Sequence, residues 1–136
     1  MANSSQTEET LTPGAARAGN GKYEFELAKV NHIMGGPDYS TANGSCIEGD
    51  RMMVALMRMP AGTGAVAHSH PNEQWIYILE GTMEGEIDGV EHNAQAGTVL
   101  YIPANTIHRS RATPDADVLF FTAKDTSHGL QGMKAP

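Results

Sequence analysis

The sequence predicts an all-β domain, a sandwich or barrel of short strands, and three observations carry that expectation. From residue 51 to about 123, short apolar segments recur at about eight-residue spacing, each closed by Gly, Pro, Asn or Asp. The 15 glycines and 7 prolines can supply that many turns. At 136 residues, 40% hydrophobic and 18% charged, the chain suits one domain with a real core and is too short for two.

Taken in order, residues 1–21 are small and polar and are expected to form a flexible or loosely attached arm. The single domain is then expected over 22–136. "KYEFELAKVN" (22–31) alternates Tyr23, Phe25 and Leu27 with charged residues, the pattern of a half-buried strand. "MGGPDYSTANGS" (34–45) is a loop, long enough to serve as a lid. "RMMVALMRMP" (51–60) is apolar on both parities apart from its arginines, which predicts a strand covered on both faces. The strands "AVAHSH", "QWIYILEG", "TMEGEIDG", "VEHNAQAG", "TVLYIPAN", "IHRSRAT" and "DVLFFTAK" follow. Asp88-Gly89 is a good two-residue hairpin turn. The tail "KDTSHGLQGMKAP" is turn-rich and receives no element.

A net charge of −7 argues against a nucleic-acid or anionic-membrane partner, since both favour a basic patch. Cys46 is the one cysteine, so no internal disulfide forms. Within "NGSCIEG" it reads as a structural thiol in a turn-like setting. No run approaches the 18 apolar residues of a membrane span, and the start lacks the basic and apolar regions of a secretory signal. A cytoplasmic location is the expectation.

His68 and His70 stand two residues apart, so on a strand both imidazoles enter one space. Continued pairing would bring Gln74, Ile76 and Ile78 to the same face and turn Glu73, Trp75, Tyr77 and Leu79 away. Pro71 can disturb that register, so Glu73 and Gln74 both stay open as an oxygen donor on parity alone.

At these residues the sequence resembles the cupin superfamily. The first motif of that family matches Gly62, "TGAVA", His68-Ser69-His70, "PNE", Gln74, "WIYILE" and Gly81. Its closing six-residue gap fits Gln74 rather than Glu73. The second motif matches Gly97, "TVLYI", Pro103-Ala104-Asn105, "TI" and His108, after a spacer over 82–96. The resemblance covers about residues 51–123. Three departures stand out: Gln74 replaces the usual Glu, Asn105 replaces a Gly, and Ala112 stands where Asn is common at a position that is not a ligand. Asn tolerates the left-handed turn a Gly would take.

The resemblance implies a double-stranded β-helix, the cupin jelly-roll barrel, with His68, His70, Gln74 and His108 around one metal. Three imidazoles and an oxygen donor with open positions suit a divalent transition metal: Fe, Mn, Ni, Zn or Cu. An amide in place of a carboxylate leaves the site one charge more positive. That strengthens Lewis acidity and raises the reduction potential. The stretch "HSHPNEQ" is similar to that of small sugar-acid ring-opening cupins of the pectin-degradation type. The first expectation is a redox-neutral lyase or isomerase acting on a small carbonyl- or carboxylate-bearing molecule. The alternatives are a metal-dependent dioxygenase cleaving a C–C bond of a small diketone or aromatic, and a non-catalytic small-ligand or metal-binding cupin.

Around the metal, Tyr101 is a candidate acid or base, weighed against an ordinary core tyrosine. Tyr39, in the long loop, is a candidate to close over the barrel mouth. Arg58 shares the parity of Met52, Val54 and Leu56, and would either clamp a substrate carboxylate or form a structural salt bridge. Ile76 is a further candidate substrate contact. Glu73, Trp75 and Tyr77 face outward, which predicts a homodimer through that face unless the N-terminal arm or the 22–31 segment covers it. His32, His92 and His128 read as ordinary surface or hydrogen-bonded residues, although His128 lies in a tail able to fold over the mouth. Arg109 and Arg111 read as solvated or interface charges.

Overall fold

The computed structural model describes residues 9–136. Two antiparallel-rich sheets face each other. The larger runs β1 (Ala16–Arg17), β3 (Asn43–Glu48), β4 (Met52–Met59), β11 (Val118–Asp125), β6 (Gln74–Glu80) and β9 (Val99–Ile102), with β2 (Ile33–Met34) also on β3. The smaller runs β12 (Met133–Lys134), β5 (Gly64–Ser69), β10 (His108–Ala112), β7 (Thr82–Ile87) and β8 (Val90–Gln95). From β4 onward the chain passes back and forth between the sheets, the jelly-roll connection of a double-stranded β-helix.

This path brings the two halves of the sequence pattern together. β6 pairs β9 with Gln74 opposite Ile102, and β5 pairs β10 with His68 opposite His108. Turns fix the registers. Asp88 (φ 51°) and Gly89 (φ 76°) both take positive φ, as a two-residue hairpin turn between β7 and β8 requires. Asn105 (φ 60°) adopts the left-handed conformation expected of a Gly substitute. Gly81 (φ 80°) could not carry a side chain, since a Cβ there would lie 2.2 Å from the Asp117 carbonyl oxygen.

The core fills the space between the sheets. Met53, Ala55, Met57 and Met59 of β4 point inward, as do Val118, Phe120, Thr122 and Lys124 of β11. Successive rows cross the larger sheet, one of them Glu48, Met53, Lys124, Gln74 and Ile102.

Four expectations are corrected. Strand β4 is covered on one face: Met52 is half exposed, and Arg58 points outward. The 22–31 segment contains a 3-10 turn at Leu27–Lys29, and Tyr23 is 82% exposed. The reason is edge occupancy. β1 and β2 already occupy the outer edge of β3, which leaves that segment no strand to pair with. The loop ends at Ala42, and Cys46 lies buried within β3 rather than in a turn.

Residues 9–21, expected to be loose, are docked instead. Ala16–Arg17 runs parallel to Ile47–Glu48, and the amides of Leu11 and Thr12 donate to the buried Glu48 carboxylate at 2.7 and 2.8 Å. Residues 1–8 of the expected arm lie outside the described residues. The tail also acquires structure. Met133–Lys134 adds to the edge of β5, and the buried Asn72 amide donates to the carbonyls of Asp125, His128 and Gly129.

Candidate metal centre

Three imidazoles meet between the sheets. His68 is the second-last residue of β5, His70 follows the strand, and His108 begins β10 directly across from His68. Ring centroids lie 4.1 Å apart for His68–His108 and 4.9 Å for His70–His108. One nitrogen from each ring falls within 4.8 Å of the others, and all three residues are buried. The grouping suits a metal ion.

The local backbone sets the tautomers. Nδ1 of His68 contacts the Val66 carbonyl at 2.7 Å, Nδ1 of His70 the Asn72 carbonyl at 3.0 Å, and Nδ1 of His108 the Thr106 carbonyl at 2.8 Å. A carbonyl only accepts, so the Nδ1 of His68 and that of His108 carry the proton and donate it. Their Nε2 atoms then present bare lone pairs. Burial keeps the rings neutral: it pushes His68 down to about 4 and His70 down to about 3, and lowers His108 as well. The nearby Lys124 charge depresses all three further.

Gln74 completes the cluster. Its Nε2 donates to Thr122 Oγ1 at 2.8 Å, and that hydroxyl donates to the Trp75 carbonyl at 2.8 Å, which fixes the amide's orientation. Gln74 Oε1 therefore faces His70 Nε2 at 3.0 Å. A neutral His70 has one ring proton for two facing acceptors, the Asn72 carbonyl at Nδ1 and Gln74 Oε1 at Nε2, so one of the two contacts sets lone pair against lone pair. A cation would relieve this pairing. Two donors at right angles, each about 2.1 Å from one ion, lie about 3.0 Å apart. The residues fit a divalent metal.

The other candidates divide. Tyr39 is buried, stacks on His68 with ring centroids 4.2 Å apart, and accepts a 2.7 Å hydrogen bond from the Gly132 amide. Ile76 is buried on the cavity wall. Tyr101 points away from the imidazoles: it is 40% exposed, packs on Trp75 and donates to Glu73, so it cannot act as an acid or base inside the barrel. Arg58 is also outside and pairs with Asp117 at 3.6 Å, so it clamps no substrate in the cavity. Glu73 faces solvent, as its position beside Gln74 predicts. His32 bonds Asn43 Oδ1 and His92 bonds the Met83 carbonyl, both away from the cluster. Arg109 and Arg111 pair with Glu86 and Glu84.

The cavity beside the cluster is small, with about 60 Å³ open to a water-sized sphere. Tyr39, Met59, Ile76, Phe120 and Lys124 line it together with His68, Gln74 and His108. Lys124 was not apparent as a site residue. It is 5% exposed, and its Nζ donates to the Leu130 carbonyl at 2.6 Å. The available signal was parity, since Lys124 shares the alternation of Val118, Phe120 and Thr122.

Comparison with known proteins agrees with this geometry. The cupin domain family matches residues 55–124, half of the chain. Protein SchB of Streptomyces halstedii is 36% identical over 67 residues, which cover 48% of this chain and 47% of SchB. The chain thus spans about half the length of that relative. Among solved structures, a cupin protein from Bacteroides fragilis is 31% identical, with a TM-score of 0.52 over 56% of this chain and 66% of that one. KdgF from Halomonas sp. is 22% identical, with a TM-score of 0.52 over 55% of this chain and 69% of that one. An RmlC-like cupin from Shewanella frigidimarina is 18% identical, with a TM-score of 0.57 over 63% and 77%. The chain belongs to the cupin family, a small all-β member with three buried histidines grouped as a metal site requires.

Proposed function

We propose that the protein is a mononuclear metal-dependent lyase or isomerase that activates a small carbonyl- or carboxylate-bearing molecule without net redox change. The observation that carries this reading is the donor set: three neutral imidazoles and a neutral amide, facing a cavity whose wall holds no Asp or Glu among the described residues. His68, His70, Gln74 and His108 would hold the ion. A divalent metal there supplies Lewis acidity toward a substrate oxygen, undiminished by any ligand carboxylate. With the ion bound at Nε2, the carbonyls of Val66, Asn72 and Thr106 would each accept the Nδ1 proton and hold the rings in one tautomer. Tyr39 and Ile76 exclude water and restrict the space beside the rings.

The test uses protein loaded in turn with Zn(II) and Fe(II). Small α-keto and β-hydroxy acids are followed by proton NMR in deuterium oxide, under air and without oxygen. Deuterium uptake beside the carbonyl, or elimination, at similar rates with both metals and both atmospheres is the expected result. Turnover that needs Fe(II) and consumes oxygen would establish the dioxygenase alternative. Ligand binding with no turnover under any condition would leave a binding protein.

We also propose a homodimer. Trp75, Tyr77, Leu79, Val99 and Tyr101 form an apolar outer face of the larger sheet, each at least 40% exposed and uncovered by residues 9–31. Light scattering on the parent and on a Trp75→Glu, Tyr77→Lys variant tests it, with a halved mass expected for the variant.

A further inference from the structure

Lys124 is a buried amine without a counter-anion. Its ammonium form has three donors, and among the described residues its one acceptor is the Leu130 carbonyl. The acids nearest in the fold are committed elsewhere. Glu48, on the same inward row, accepts from the Leu11 and Thr12 amides, and Asp125 accepts from the Glu73 and Ser127 amides at the surface. The one thiol nearby, Cys46, is held neutral by burial. No carboxylate lines the cavity among the described residues. A neutral amide would serve to hold the Leu130 carbonyl, so a buried charge placed there for that purpose alone is expensive.

Lys124 lies directly across from Gln74 in the β11–β6 register and lines the cavity shared by His68 and His108. A divalent metal on neutral ligands and a protonated lysine would give the cavity two positive centres in a protein of net charge −7. The complementary ligand is an anion that reaches both. We propose that Lys124 binds the carboxylate of the substrate, and that the cavity is selective for small carboxylic acids carrying a second oxygen for the metal. This deepens the metal-dependent reading and rests on it for the second contact. At about 10–15 Å³ per water, the space corresponds to about four to six heavy atoms, which admits a three-carbon keto acid.

The probe is pyruvate, with pyruvamide as its uncharged counterpart, titrated calorimetrically into the zinc-loaded and zinc-free full-length protein. The parent with zinc is expected to bind pyruvate about tenfold or more tightly than pyruvamide, the scale of one hydrogen bond to a charged group. Lys124→Met, with an unbranched side chain that suits a buried site, should keep its zinc and lose that preference. Lys124→Arg should retain part of it.

A Lys124→Met protein that holds zinc and still prefers pyruvate as the parent does would overturn the assignment. A parent that binds zinc but does not distinguish the two probes would do the same, and that comparison stands even if the variants fail to fold. Failure of the metal reading looks different. The parent then binds no zinc, while a Lys124-dependent preference for pyruvate in the zinc-free protein still supports the carboxylate site.

Discussion

Nε2 of His70 stands 3.0 Å from Oε1 of Gln74 and Nδ1 of the same ring 3.0 Å from the Asn72 carbonyl, so one ring proton faces two acceptors. Contacts on either side hold ring and amide there: Asn72 carbonyl on one, Thr122 hydroxyl on the other. The fold therefore maintains one acceptor–acceptor contact, which an ion held at Nε2 and Oε1 with the proton at Nδ1 would relieve. Metal removal should be felt as lost stability. At a free-ion concentration of 100 times Kd, binding adds about 2.7 kcal/mol to the folded state. Thermal melts with zinc and with EDTA should differ by about 5–15 °C. His70→Ala should melt at one temperature in both conditions. An equal zinc-dependent shift in that variant would remove His70 from the ligand set.

Gln74→Glu restores the acid usual in cupins and exposes what the amide does here. A carboxylate beside the ion should tighten metal binding by about tenfold or more, given the strength of close charge pairs at a protein interior site. The same carboxylate would face Lys124 from the adjoining strand and compete with any incoming anion. Zinc affinity should therefore rise while pyruvate affinity falls. The two affinities moving in the same direction would contradict the charge argument, and competition titrations with a fluorescent zinc chelator separate them.

These residues also show which parts of the molecule were legible in the sequence. His68 and His70 were legible as a pair because strand parity is local, whereas Gln74 and His108 came from the motif spacings of the cupin resemblance and not from parity. Asp88-Gly89 and Asn105 were legible locally too, since a turn is specified by the residues within it. What escaped was non-local. Tyr23, Phe25 and Leu27 alternate as a strand would, yet β1 and β2 take the edge that segment needed. Glu48 looks like any surface acid until the Leu11 and Thr12 amides arrive from far back in the chain. Tyr101 and Arg58 were plausible site residues by type, but each lies on the outer parity of its strand. Lys124 was the reverse case, a charged residue whose inward parity was readable and whose type argued against burial.

The buried bases predict an unusual pH profile for the metal-free protein. His68 and His70 are held near 4 and 3 in the fold and rise to about 6.5 when unfolded. Between those values the unfolded chain binds more protons, so stability falls as pH drops below about 6.5. Lys124 is pushed down to about 7 by burial, from an unfolded value near 10.5. There too the unfolded chain binds more protons, so stability rises with pH from about 7 upward. Cys46, pushed up to about 12, acts in the opposite sense above about 9, where the unfolded thiol ionises and the buried one does not. Urea melts in EDTA should therefore show stability increasing from pH 4 to about 9, with each group contributing at most about 1.4 kcal/mol per pH unit. Lys124→Met should flatten the limb above pH 7 and leave the acid limb in place. An unchanged alkaline limb in that variant would mean the lysine is not the group responsible.

The N-terminal segment gives a prediction independent of the metal. Glu48 is 2% exposed and accepts from two successive amides, Leu11 and Thr12, while Thr12 Oγ1 accepts from the Leu130 amide. One carboxylate thereby ties the start of the described chain to β3, and through Thr12 to the tail that covers the cavity. Glu48→Gln is nearly isosteric but supplies one acceptor where two are needed, and turns an N–H group toward a second N–H. The expected cost is about 1–3 kcal/mol, the desolvation of an unsatisfied buried group. Hydrogen exchange should accelerate at Leu11 and Thr12, then at Leu130, with the β11 and β6 amides still protected. Zinc stoichiometry should not change, because no described hydrogen bond links Glu48 to the imidazoles. Parental exchange rates at Leu11 and Thr12 in this variant would show that the segment is held by its strand pairing at Ala16–Arg17 and not by the buried carboxylate.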